Sequence, residues 1–278
     1  MMVFFYFYIM SKSEAPIGMF DSGLGGLSVW KVVSAFLPRE SFIYYADSRF
    51  APYGSRSREE IIERSMCITD LLLKDGAKLI VVACNTATAA AIDFLRESHP
   101  DIPFVGMEPA IKPASLLSET GNVGVLATQG TFSGALFKRN REKYNPYVKI
   151  HFREGEGLVE LAEKNMVNSA KAERLLRKYI EPMMQAQVDQ LVLGCTHYPL
   201  FIPLIRRIAG DSMKIIDPAD AIARRTKDLL MQHRKININQ VAGKSAFFTS
   251  GKLQNLERML ISLVPDQQKS NISHFSCD

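Results

Sequence analysis

Two stretches of the chain carry the same landmarks in the same order, and this repetition limits the folds open to it. Ile17-Gly18-Met19-Phe20 followed by Asp21-Ser22-Gly23 is answered by Val123-Gly124-Val125-Leu126 followed by Ala127-Thr128-Gln129-Gly130. The β-formers of residues 79–82 run into Cys84-Asn85-Thr86, and those of 191–193 run into Gly194-Cys195-Thr196-His197-Tyr198-Pro199. Residues 103–110 find their counterpart in Lys214-Ile215-Ile216-Asp217-Pro218-Ala219. Ile17 lies 67 residues before Cys84, and Val123 lies 72 before Cys195. Three landmarks in register imply a duplicated unit with pseudo-two-fold symmetry, which would set the two cysteines face to face across a cleft.

Strand and helix patterns alternate throughout. Strands are expected at 17–20, 42–46, 79–82, 104–107, 123–126, 148–152, 191–193, 213–216 and 246–249. Helices are expected at 27–37, 58–74, 86–97, 132–144, 158–165, 170–187, 203–209 and 219–232. That rhythm implies βαβ units and an α/β fold of two pseudo-symmetric domains, each a mainly parallel sheet flanked by helices. The first domain is read as 14–107 plus 217–267 and the second as 108–216, with 1–13 and 268–278 as loosely attached tails. The last strand is expected to rejoin the first sheet. In open sheets of this kind ligands bind beyond the carboxyl ends of the strands, so the active site is expected between the domains.

The 278 residues allow two domains of ordinary size, and 47% hydrophobic with 23% charged residues is a globular composition. A net charge of +5 is spread along helices rather than gathered in a stripe with aromatics, so no nucleic-acid partner is expected. Residues 1–10, MMVFFYFYIM, are too short to span a bilayer, which takes about 20 residues. They also lack the charged start and cleavage site of a signal peptide. Met10 is read as the working start, and a cytoplasmic chain with no membrane partner is expected. Four cysteines stand at 67, 84, 195 and 277 without a C-x-x-C pair, which fits a reduced chain with no metal site. Cys67 in a helical run reads as a small buried hydrophobe, and Cys277 as an ordinary residue of the tail.

Cys84 and Cys195 are different, because each ends a buried strand and precedes a helix start. The positive end of a helix dipole and its free N–H groups favour a thiolate, so a lowered pKa is expected. His197, two residues beyond Cys195, can take or return its proton, and Asp21 can do the same for Cys84 if the sheets lie as read. Asp21-Ser22-Gly23-Leu24-Gly25-Gly26 matches a dinucleotide loop only loosely, since Ser28 stands where the third glycine belongs. Its backbone N–H groups can instead hold a carboxylate. With Ser22, Asn85, Thr86 and Thr196 as neutral donors, the set suits a small amino acid better than a nucleotide.

Asp21 to Gly26, Pro52-Tyr53-Gly54, Cys84-Asn85-Thr86-Ala87 and Gly194-Cys195-Thr196-His197-Tyr198-Pro199 together resemble the glutamate racemases of the aspartate/glutamate racemase family. The resemblance runs from about residue 17 to 225. It implies a cofactor-independent isomerase that makes D-glutamate for peptidoglycan, acts on a small-molecule substrate and works as a homodimer. By the same resemblance Cys84 and Cys195 are the acid–base thiols, acting on D- and L-glutamate respectively, with Asp21 and His197 assisting. Ser22, Tyr53, Gly54, Asn85, Thr86 and Thr196 become substrate contacts, shared with Asp21 and His197. An assisting glutamate is implied, and Glu163 fits it better than Glu160. One departure stands out: Glu154-Gly155-Glu156 replaces a third cysteine often found there. The rival readings are an aspartate-type racemase, a nucleotide-linked oxidoreductase and a non-catalytic relative that binds a macromolecule.

Overall fold

The computed structural model describes residues 13–144, 146, 148–264 and 271–275. The first ten residues and Cys277, with the readings attached to them, lie outside the described residues. The chain begins with β1 (Ile17–Asp21), α1 (Leu27–Phe36), β2 (Phe42–Ala46), α2 (Arg58–Lys74), β3 (Leu79–Val82), α3 (Asn85–Ser98) and β4 (Phe104–Gly106). It continues through α4 (Ile111–Leu117), β5 (Asn122–Ala127), α5 (Gln129–Ser133), α6 (Ala135–Tyr144), β6 (Lys149–Glu154), α7 (Leu158–Glu163) and α8 (Ala170–Gln185). Then follow β7 (Gln190–Gly194), α9 (Ile202–Ala209), β8 (Lys214–Ile216), α10 (Ala219–Gln232), β9 (Ser245–Thr249), α11 (Leu253–Leu263) and β10 (Asn271–His274).

The strands form two sheets, ordered β10-β9-β2-β1-β3-β4 and β6-β5-β7-β8, with every pairing parallel. The repeat in the sequence becomes a repeat in topology. β5 takes the place of β1, β6 of β2, β7 of β3 and β8 of β4. In both sheets the chain steps to one side after its first strand and crosses to the other before its third. The crevice at such a reversal is where ligands of open α/β sheets bind.

Parallel strands covered on both faces need apolar residues at every position. β1, β3 and β7 (IGMFD, LIVV and QLVLG) are buried along their whole length. Met19, Leu79 and Val81 face one layer, with Trp30 of α1 edge-on to Phe247 of β9 at 4.8 Å. Phe20, Ile80 and Val82 face the other, against α2 and α3. Ile222, Ala223, Leu229 and Leu230 of α10 join the first of these layers, so the helix after β8 returns to the first sheet. α2 has a complete set of end signals: Ser57 accepts from Glu60 N–H at 3.1 Å, Glu59 and Glu60 lie in the first turn, and Lys74 lies in the last.

Several expectations change. The helix read at 132–144 is broken at Gly134 into α5 and α6, because Gly134 is extended (ψ 143°). α4 is an added element, and its Pro113 sits in the first turn, where no intrahelical N–H partner is lost. α11 is an added element, and residues 271–274, read as tail, pair with β9 as β10. Cys67 is not a sealed core thiol. It sits half-buried on α2 and is disulfide-bonded, whereas Cys84 and Cys195 are free.

Candidate active site

Asp21 closes β1, and Cys84 lies two residues past β3, so the pairing of β1 with β3 brings both to one sheet edge. Cys84 is itself the cap of α3: its backbone is extended, and its sulfur accepts from Ala87 N–H at 3.4 Å. The Cys84 thiol points to Ser22 Oγ at 3.7 Å, and Ser22 Oγ donates in turn to Asp21 Oδ1 at 3.4 Å. A thiol, a hydroxyl and a carboxylate thus stand in line. Tyr53 sits in a one-turn 3₁₀ segment, Tyr53–Ser55, and its hydroxyl donates to Asp47 Oδ2 at 2.6 Å. Arg64 grips the same Asp47 with two donors at 3.0 Å each, so Tyr53 is braced from behind and its proton is already committed.

The second sheet supplies the opposite wall. Cys195 follows β7 directly, and the 3₁₀ segment Tyr198–Phe201, with proline in its first turn, precedes α9. The helix expected at this point is therefore a single 3₁₀ turn first. Cys195 Sγ lies 3.8 Å from His197 Nδ1, and His197 Nε2 lies 2.6 Å from Glu163 Oε1 of α7. Thr196 Oγ1 reaches across to Asp21, 3.4 Å from each carboxylate oxygen. Glu160 is exposed on the outside of α7, so Glu163 is the glutamate that meets the site.

Ser22, Tyr53, Gly54, Cys84, Asn85 and Thr86 from the first half meet Cys195, Thr196 and His197 from the second around one small cavity. Asp21 lies directly behind this lining. Asn85 is buried, and neither its amide oxygen nor its amide nitrogen has a protein partner, so one donor and one acceptor are open to a ligand. Sequence reasoning passed over Thr128, whose hydroxyl meets Thr86 Oγ1 at 2.8 Å across the cleft. The signal was present, since Thr128 is the counterpart of Ser22 in the repeat. Gly54 makes the close approach possible: a Cβ there would lie 3.1 Å from Thr128 Cβ.

The glycine loop is already occupied by protein groups. Leu24 N–H donates to Glu163 at 2.6 Å and Gly26 N–H to Asp21 at 2.8 Å, while Gly25 N faces His197 Nε2 at 3.1 Å. The carboxylates it holds belong to the chain itself, and no N–H of these three is left to cradle a phosphate. Among the described residues no group of His, Cys, Asp and Glu has the arrangement of a metal site.

Electrostatics overturns one expectation. Burial, and then the nearby Asp21 carboxylate, push the Cys84 thiol well above its ordinary pKa. The N–H groups of α3 and Ser22 act in the expected direction but are outweighed. Burial likewise raises Asp21, against the stabilising effects of His197 and Gly26 N–H. Burial disfavours charge on His197, yet the contacts with Cys195 and Glu163 prevail and hold its imidazolium well above the usual range. Nε2 cannot both accept from Gly25 and donate to Glu163. The 2.6 Å separation and the direction of the shift assign its proton to the Glu163 bond. A direct consequence is that iodoacetamide should leave Cys84 nearly untouched at neutral pH. Its alkylation rate, followed by peptide mass spectrometry, should climb about tenfold per pH unit through pH 9–10, because only the thiolate reacts. A pH-independent rate at Cys84 would show a thiolate already present.

Comparison with known proteins agrees with this geometry. Residues 28–226 match the family described as Asp/Glu/Hydantoin racemase. The glutamate racemase of Ectopseudomonas mendocina is 43% identical over 263 residues, covering 95% of this chain and all of the relative. The crystal structure of glutamate racemase isoform RacE1 from Bacillus anthracis superposes with a TM-score of 0.84 at 29% identity, covering 95% of this chain and 98% of that one. The Francisella tularensis glutamate racemase solved with D-glutamate gives 0.82 at 27% identity, covering 96% and 99%.

Proposed function

The chain belongs to the Asp/Glu/hydantoin racemase family, and on that premise we propose that it interconverts L- and D-glutamate by a two-thiol mechanism without a cofactor. The observation that carries this reading is the pair of free, buried cysteines at equivalent strand ends, lining one cavity from opposite halves. One sulfur, as thiolate, takes the α-proton. The electron pair of the C–H bond passes into a planar carbanion conjugated with the α-carboxylate. The opposed thiol then donates its proton to the other face, and the configuration is inverted.

Each proton needs somewhere to go between turnovers. Cys84 is linked through Ser22 to Asp21, and Cys195 is next to His197, which is paired with Glu163. Thr196 and the open amide of Asn85, with Ser22, Thr86 and the Tyr53-Gly54 segment, supply neutral contacts for an amino acid's carboxylates and ammonium. Fixed neutral donors aimed at charge that builds in the transition state are an efficient source of rate.

D-glutamate so formed would feed peptidoglycan synthesis, by a homodimer in the cytoplasm. No helix among the described residues is long and apolar enough to cross a membrane.

The test is circular dichroism of L-glutamate with purified protein and no added cofactor. The optical signal should decay to zero, and an unchanged signal would sink the proposal. Aspartate should be racemised far more slowly, since donors placed for the longer diacid would go unpaired at about 1–3 kcal/mol each. Rates within tenfold of each other would favour an aspartate-type enzyme.

A further inference from the structure

The turn between β1 and α1 points three consecutive backbone N–H groups at three different side chains. Leu24 N–H holds Glu163, Gly25 N faces His197 Nε2, and Gly26 N–H holds Asp21. Glu163 and His197 come from the second half and Asp21 from the first, so one loop touches the helpers of both thiols. Its glycines leave no room for substitution. A Cβ at residue 25 would stand 2.4 Å from His197 Nδ1, and at residue 26 it would stand 2.7 Å from Asp21 Cβ and Tyr44 Oη. His197 is only 1% exposed, so a displaced ring has no route to solvent without moving its neighbours. Ser28 Oγ donates to Gly25 O at 2.8 Å and lies 3.1 Å from Thr196 O, which pins the loop to the segment that carries Cys195 and His197.

We propose that loop 23–26 is a positioning element for both proton-transfer faces, the amides of 24 and 25 placing His197 and the amide of 26 placing Asp21. The inference rests on the racemase reading above. The first two amides divide the work by protonation state. While Nε2 carries its proton, the ring is held through Glu163, which Leu24 N–H fixes in turn. When that proton passes to Glu163 Oε1, the Nε2 lone pair takes the Gly25 N–H, so the imidazole keeps its place through the cycle. Dipoles already aligned cost no reorganisation at the moment of transfer.

The test uses neighbouring substitutions that should have opposite signatures. Gly25→Ala should displace His197, and the primary deuterium isotope effect on kcat/KM should rise with α-deuterated L-glutamate but not with the D-enantiomer. Gly26→Ala should displace Asp21 and give the reverse. In each variant kcat/KM should fall in both directions together, by about 10²-fold, as for an ångström-scale misplacement. Should Gly25→Ala lose its thermal unfolding transition, Ser28→Ala serves instead, since it removes a tether of the same segment without adding bulk. It should shift the L-glutamate isotope effect in the same direction as Gly25→Ala, by less. Folded variants with wild-type rates, or with equal isotope effects for both enantiomers, would overturn the role of the loop. Wild-type protein that racemises neither enantiomer would instead overturn the underlying reading.

Discussion

Replacing Cys84 or Cys195 by serine should each abolish most racemisation in both directions. Every turnover needs one sulfur to take a proton and the other to give one, so neither can be spared whichever enantiomer is supplied. A serine hydroxyl is a far poorer acid and base near neutral pH, and loss of a positioned acid–base group costs about 10²–10⁴-fold. Substrate affinity, measured by titration calorimetry, should change little, because the neutral contacts around the cavity are untouched. The swap replaces one small side chain by another at a buried strand end, and the melting temperature should stay within a few degrees. The two variants should nevertheless differ. Cys84 caps α3 through its sulfur and is held as a thiol by burial and Asp21, and serine is a good cap in its place. The activity loss at Cys84 is therefore expected without any loss of helix stability. Near-normal turnover by either variant, in either direction, would refute the two-thiol reading.

The topology was legible in the sequence because parallel strands buried on both faces have to be apolar throughout. Runs such as Leu79-Ile80-Val81-Val82 allow few alternatives. The repeat was legible for a related reason: strand order follows the order of the landmarks, and both sheets reverse at the same point. The relation of the two thiols to their helpers was only partly accessible. Spacing placed His197 beside Cys195, but nothing local shows that Glu163, 34 residues away, closes on its far nitrogen. The pKa of Cys84 went wrong because a helix N-terminus is visible in sequence and the burial that opposes it is not. The glycine loop misled in a similar way. Its amides hold anions as expected, but the partners are side chains brought in by the other half of the molecule, as for Leu24 and Glu163. Residues 271–274 were missed because a four-residue strand after a polar stretch has too little pattern to separate from a tail.

The helpers should separate from the thiols in a different measurement. Asp21→Asn and His197→Asn keep the approximate shape of each side chain and remove its capacity to exchange a proton. Neither group is expected to touch the α-carbon, so each variant should keep measurable activity, down by about 10²-fold or less. Equal enantiomers at equilibrium are fixed by symmetry, and the ratio of kcat/KM for the two directions cannot move in any variant. The asymmetry must therefore be sought in the isotope effect. If Asp21 serves Cys84 through Ser22, weakening it raises the barrier of the step in which Cys84 takes the proton from D-glutamate. That step then limits the rate more fully, and α-deuterated D-glutamate should show the larger primary isotope effect. In the reverse direction the slow step becomes delivery of a solvent-derived proton by Cys84, so deuterium in L-glutamate should matter less. His197→Asn should show the mirror pattern through Cys195, to which His197 Nδ1 is adjacent at 3.8 Å. The two substitutions differ in one further way that follows from burial. Asp21→Asn also removes a buried charge acceptor for Gly26 N–H and Thr196 Oγ1, whereas His197→Asn leaves Glu163 facing an uncharged side chain. Isotope effects that change equally for both enantiomers in both variants would reduce Asp21 and His197 to residues that merely shape the cavity.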